Sequence, residues 1–257
     1  MISDVPDSSL SIHRSSFQVG TSSVSSLLLR PADATCLYVF GHGAGAGMWH
    51  RSMEAISQSL AEVGIATFRY NFVYMEAGRG APDRHPLLLA TVRAAVQAAH
   101  EAAPDLPLIA GGKSMGGRMT SMAQAENPLS AMPVRGEGAG GGEISISNSA
   151  VRGLVFYGFP LHPAGRPGVE RAEHLAKVNI PMLFLQGTRD DLADLSLLTP
   201  IVEGLKTAST HIVETADHSF HIQKSSGKTD AQVLNELARK VRDWCGSALD
   251  LPGAIGL

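Results

Sequence analysis

Short, almost unbroken apolar runs alternate along this chain with stretches of helical periodicity. That alternation limits the fold more than any other feature. The runs are CLYVFG at 36–41, IATFRY at 65–70, LIAGG at 108–112, VRGLVFYG at 151–158 and IPMLFLQG at 180–187. Strands this apolar have no face to offer water, so they belong inside a mainly parallel sheet covered on both sides. Helix-like stretches lie between them at 50–63, 87–102, 114–126, 169–177 and 196–207. In the first of these, Met53, Ile56, Leu60 and Val63 recur at spacings of three and four. A last strand is expected at 210–215. An amphipathic helix over 229–247 carries Val233, Leu234, Leu237, Val241 and Trp244 on one side. Near the start, Phe17, Val19 and Ser22 through Leu29 read as an antiparallel hairpin. The expected architecture is α/β: a mainly parallel central sheet, helices on both faces, an N-terminal hairpin and no large cap. One such domain absorbs residues 1–257, with no internal repeat and no linker to split it.

Composition narrows the functional classes. With 44% hydrophobic residues the chain is globular, and 21 basic against 24 acidic residues leave no footprint for nucleic acid. No apolar run approaches the roughly 20 residues that span a bilayer, so no membrane partner is expected. The start, MISDVPDSSLSIHRSS, lacks the apolar centre of a secretion signal. Cys36 and Cys245 make a poor disulfide framework, and the expected setting is cytoplasmic. Glycine is in excess at 27 residues, against a typical share of about 7%. Part of that excess lies in 127–150, whose composition predicts a flexible surface insertion.

The remaining glycines gather at strand ends, where ligands of parallel sheets bind. After LIAG comes Gly112-Lys113-Ser114-Met115-Gly116, a G-x-S-x-G pattern between strand and helix. This is a nucleophile elbow: a turn so sharp that the serine is exposed at the start of a helix. The same residues end in GKS, but a phosphate loop needs a glycine at position 107, which is Pro107. After IPMLFLQ, Asp190 and Asp191 compete as the acid that orients a base, with Asp190 preferred. After the last strand, His218 has His221 as its rival. The order Ser, Asp, His, each after its own strand, favours Ser114, Asp190 and His218. His218 and His221 alone make no metal site, because no third ligand stands at suitable spacing. No metal and no other cofactor is expected.

The loop Gly41-His42-Gly43-Ala44-Gly45-Ala46-Gly47 admits two readings. Its glycines can turn a backbone N–H toward a substrate carbonyl. It also satisfies G-x-G-x-x-[GA] after a strand, with Arg69 available to an NADP 2′-phosphate, although the next strand ends without an acid. Only the first reading also accounts for Ser114, Asp190 and His218.

GHGAGAGMWH, FRYNFVYMEAGRGAPDRHP, GGKSMGGRM, VFYGFPLHP, LFLQGTRD and DHSFH, in that order over residues 36–222, resemble the dienelactone-hydrolase-like branch of the α/β-hydrolases. The resemblance implies a Ser114–His218–Asp190 triad. It also implies an oxyanion hole from the backbone N–H groups of Met115 and of Ala44, in the loop after His42. Dienelactone hydrolases proper use cysteine as nucleophile; serine stands here, so dienelactones do not follow as substrates. The implied activity is a serine esterase acting on a small-molecule ester. Some relatives serve as scaffolds, so a catalytically silent interaction module is the alternative.

Substrate walls are expected from His42, Met48, Trp49, Phe72, Tyr74 and Phe159, which follow strands on the active face. Arg118 lies one turn beyond Ser114. It either pairs with Glu76 or Asp83, or binds a substrate carboxylate.

Overall fold

The computed structural model describes residues 10–131 and 149–251. One eight-stranded sheet runs through them in the order β1-β2-β4-β3-β5-β6-β7-β8. The strands are β1 (Leu10–Val19), β2 (Ser22–Pro31), β3 (Cys36–Gly41), β4 (Ile65–Tyr70), β5 (Leu108–Lys113), β6 (Val151–Tyr157), β7 (Met182–Arg189) and β8 (Ala208–Asp217). β1 and β2 form the expected hairpin, turned at Gly20 with φ +58°. β2 then pairs antiparallel with β4, and every later pairing is parallel.

Every residue of β3, β4 and β5 is buried, as their composition required. Alternate residues feed two cores. Leu37 and Val39 of β3 join one apolar cluster, while Cys36, Tyr38 and Phe40 join the other. β6 divides in the same way, Leu154 and Phe156 against Val155 and Tyr157. The helices α1 (Arg51–Ala61) and α6 (Asp230–Leu249) cover one face. The other carries α2 (Val73–Glu76), α3 (His85–Ala102), α4 (Met115–Glu126) and α5 (Leu195–Glu203). α6 opens on a capping box between Thr229 and Gln232, the reciprocal arrangement that satisfies two orphan N–H groups.

Some elements differ from expectation. α2, at Val73–Glu76, falls outside every helix-like stretch expected from the sequence. The stretch 170–177 is a 3-10 helix. β7 and β8 continue past Gly187 and Thr215, to Arg189 and Asp217. Most of the expected insertion, 132–148, lies outside the described residues. Its roots pack: Leu129 is buried in the core, and Ala131 N–H donates to the Ser149 carbonyl at 2.7 Å.

α4 reaches the sheet through glycine. A Cβ on Gly116 would stand 2.3 Å from the Gly41 carbonyl oxygen, and one on Gly112 would stand 2.4 Å from the same atom. Real Cβ contacts are never that short, so backbone touches backbone where β3, β5 and α4 meet. Gly116→Ala is therefore expected to cost about 3 kcal/mol or more. Urea unfolding measures this; a wild-type midpoint would contradict the close packing.

Candidate active site

The register of the strands brings the candidate residues together. Arg189 of β7 pairs with Asp217 of β8, so the next residue of each chain segment, Asp190 and His218, emerges side by side. Lys113 of β5 pairs with Tyr157 of β6, and Ser114 N–H donates to the Tyr157 carbonyl at 3.1 Å. The following residue, Gly158, lies against the His218 ring: a Cβ there would sit 3.3 Å from its Cε1 and Nδ1. Ser114 and His218 thus flank the same two residues at the carboxyl end of the sheet.

Ser114 has φ 51° and ψ −118°, a conformation that costs a non-glycine residue free energy and clusters at functional sites. It is the N-cap of α4, and Met115 at the first helical position has an N–H without an intrahelical acceptor. The macrodipole adds positive potential there. Gly43 approaches the serine from the β3 side, with 3.5 Å between its virtual Cβ and the Ser114 Cβ. In that loop Gly45 N–H donates to the Tyr74 hydroxyl and Ala46 N–H to the Gly43 carbonyl.

Asp190 Oδ2 accepts from His218 Nδ1 at 2.7 Å. The carboxylate side chain is wholly shielded, and its charge is met by donors: Leu192 N–H to Oδ1 at 2.8 Å and Gln186 Nε2 to Oδ2. Gln186 is itself anchored, its Oε1 accepting from Phe159 N–H at 3.0 Å. Because Nδ1 keeps its proton to donate to Asp190, His218 Nε2 carries the free lone pair; it is shielded from water and has no hydrogen-bond partner among the described residues. The rivals lie elsewhere. Asp191 is exposed, and His221 pairs with Asp230 at 2.7 Å on the surface.

A family model described as an alpha/beta hydrolase domain matches residues 34–246. The chain belongs to the α/β-hydrolase family. Solved structures agree in fold. A dienelactone hydrolase from Anabaena variabilis superposes with a TM-score of 0.67 at 18% identity, covering 94% of this chain and 100% of that one. An α/β serine hydrolase without lid from Xanthomonas campestris gives 0.65 at 18% identity, with 94% and 95% covered. A serine hydrolase homologue from Coxiella burnetii gives 0.67 at 16% identity, with 89% and 96% covered.

The expected substrate walls of the hydrolase stand differently. His42, Phe72, Tyr74 and Phe159 are fully buried, and Met48 is 1% exposed. They back the loops instead of facing an open cleft: Phe72, Tyr74 and Phe159 join the main core cluster, and the His42 ring packs edge-on against Phe72. Trp49 alone is exposed, at 52%, with the Arg14 guanidinium 5.0 Å above its ring. The ion pairs proposed for Arg118 do not form. Asp83 pairs with Arg79, and Glu76 accepts from Ser25 N–H and Asn71 Nδ2. Two supporting residues carried no sequence signal. Gln186 holds Asp190, and buried Lys113 donates from Nζ to the His218 carbonyl at 2.8 Å. Burial lowers the Lys113 ammonium to about 8, opposed by the charges of Asp190 and Asp217. Neither residue type has a motif of its own; only their places in the register reveal them.

His42 is a structural histidine. Its Nε2 accepts from Phe72 N–H at 3.1 Å, so Nδ1 carries the proton and donates to the Gly43 carbonyl at 2.7 Å. It thereby ties the glycine loop to the segment after β4. Burial lowers its pKa to about 4. The unfolded chain protonates this group near pH 6.5, so its contribution to stability is complete above that pH and is lost as the pH falls toward 4. His42 alone makes the hydrolase about 2 kcal/mol less stable at pH 5 than at pH 7. Urea midpoints at the two pH values, compared with those of His42→Gln, measure this. An equal loss in both proteins would contradict the assignment.

Proposed function

We propose that this α/β-hydrolase is a serine carboxylesterase for small to medium esters. The observation that carries the reading is the conjunction at the strand ends: a strained serine at a helix start, beside a histidine whose outer nitrogen is free and whose inner one is held by a shielded aspartate.

Ser114 Oγ attacks the ester carbonyl as His218 Nε2 takes its proton. The Asp190 carboxylate fixes the imidazole tautomer and stabilises the imidazolium. The tetrahedral oxyanion is received by the N–H groups of Met115 and Ala44, each donor worth roughly 3 kcal/mol in comparable sites. His218 returns the proton to the departing alcohol, leaving an acyl-serine. Water, deprotonated by the same nitrogen, then releases the acid and restores the enzyme. No cap domain stands over the strand ends among the described residues, which favours short substrates.

The dinucleotide alternative loses support on geometry. In that motif the glycine loop runs directly into a helix whose N-terminus holds the pyrophosphate. Here α1 starts only at Arg51, capped by His50. Arg69 is 4% exposed and donates to the Met48 carbonyl, away from any 2′-phosphate.

Ser114→Ala is expected to lower turnover of a p-nitrophenyl ester by about a thousandfold or more while preserving the fold. Steady-state assays on the folded variant measure this; retained activity would overturn the assignment.

A further inference from the structure

We propose that Arg118 and Arg171 form a subsite for an anionic group of the ester, so that the hydrolase, if the preceding reading holds, prefers acidic substrates. Arg118 N–H donates to the Ser114 carbonyl at 3.2 Å, fixing its backbone one helical turn, about 5.4 Å, from the nucleophile. Gly116, Gly117 and Met119 of α4 are buried, while Ser114, Met115 and Arg118 keep partial exposure. The arginine therefore leaves the helix on the side where the serine is open.

Among the described residues its guanidinium lacks the partners such a group requires. Nε is shielded from water and has no hydrogen-bond acceptor among the described residues. A shielded, unpaired guanidinium N–H is costly unless an acceptor arrives. The first acid in α4 is Glu126, at its far end. The 3-10 helix packed alongside brings Arg171, which also joins no ion pair of the described residues. On that helix Glu170 folds back over Gly168, and Glu173 is exposed. His174 bonds to Ser121 Oγ at 2.7 Å.

The electrostatics point the same way. Burial, then the charge of Arg171, lowers the Arg118 pKa. Burial, then Arg118, lowers His174 to about 4, which keeps it neutral near pH 7. Two guanidiniums without an acidic partner among the described residues, beside a neutral imidazole, suit a carboxylate or a phosphate, which a guanidinium fork binds through two parallel hydrogen bonds. The one-turn separation from Ser114 places that anion only a few bonds from the scissile carbonyl. The monoester of a short dicarboxylic acid fits that span, as does a short ester bearing phosphate.

The test compares kcat/KM for mono-p-nitrophenyl succinate and for p-nitrophenyl butyrate in the full chain. The ratio of the two is expected to fall roughly tenfold in Arg118→Gln, through KM, and several-fold in Arg171→Gln. Arg118→Lys, which keeps the charge, is expected to recover part of it. Free succinate and inorganic phosphate, used as competitive inhibitors, distinguish the two anion types by which one loses more potency in Arg118→Gln. A ratio within about twofold of wild type in Arg118→Gln overturns the proposal. So does an equal fall for both esters accompanied by a lower Tm, which marks a purely structural arginine. Wild-type protein that hydrolyses neither ester instead overturns the esterase reading, and this subsite with it.

Discussion

The architecture hangs on one close approach, where Gly41, Gly112 and Gly116 meet backbone to backbone. No side chain fits there: the virtual Cβ atoms of Gly112 and Gly116 both fall within 2.4 Å of the Gly41 carbonyl oxygen. That contact lets α4 start immediately beyond β5 and forces the intervening residue into a left-handed turn. Ser114 pays the conformational cost, and the result is a serine projected at a helix N-terminus beside the loop that follows β3. Widening the contact by a methyl group would displace the helix and both loops together.

A second constraint comes from register. Because β7 and β8 pair in parallel with Arg189 opposite Asp217, their next residues leave the sheet as neighbours. Asp190 is shielded as a charge and is stabilised by hydrogen bonds from Leu192, Gln186 and His218 instead of by solvent. Lys113 fastens the histidine loop to the strand that delivers the serine. His42 fastens the glycine loop to the segment after β4. The catalytic proposal rests on side chains whose positions are set by neighbouring backbone, the kind of preorganisation that acyl transfer exploits.

Much of this was legible in the residues. Unbroken apolar runs placed the central strands, and the glycines that end them marked where chemistry gathers. The order of Ser114, Asp190 and His218 followed from those strand ends. The failures share a cause: periodicity does not say where a loop side chain turns. Phe72, Tyr74 and Phe159 follow strands on the active face, yet they are core residues, because aromatics serve a pocket wall and a buried layer equally well. Glu76 and Asp83, the acids expected to pair with Arg118, are taken by partners that only the folded chain reveals. Gln186 and Lys113 matter through single hydrogen bonds, which leave no compositional trace. β8 is partly exposed along its length, and its apolar pattern was too weak to mark its true end at Asp217.

Site-resolved mass spectrometry after exposure to a fluorophosphonate tests the central claim most directly, because the reagent forms a covalent bond only with an activated serine. The account predicts a single adduct on the peptide carrying Ser114, formed far more slowly in His218→Asn. No adduct at Ser114 on the folded protein, or an equal rate in the variant, would contradict it.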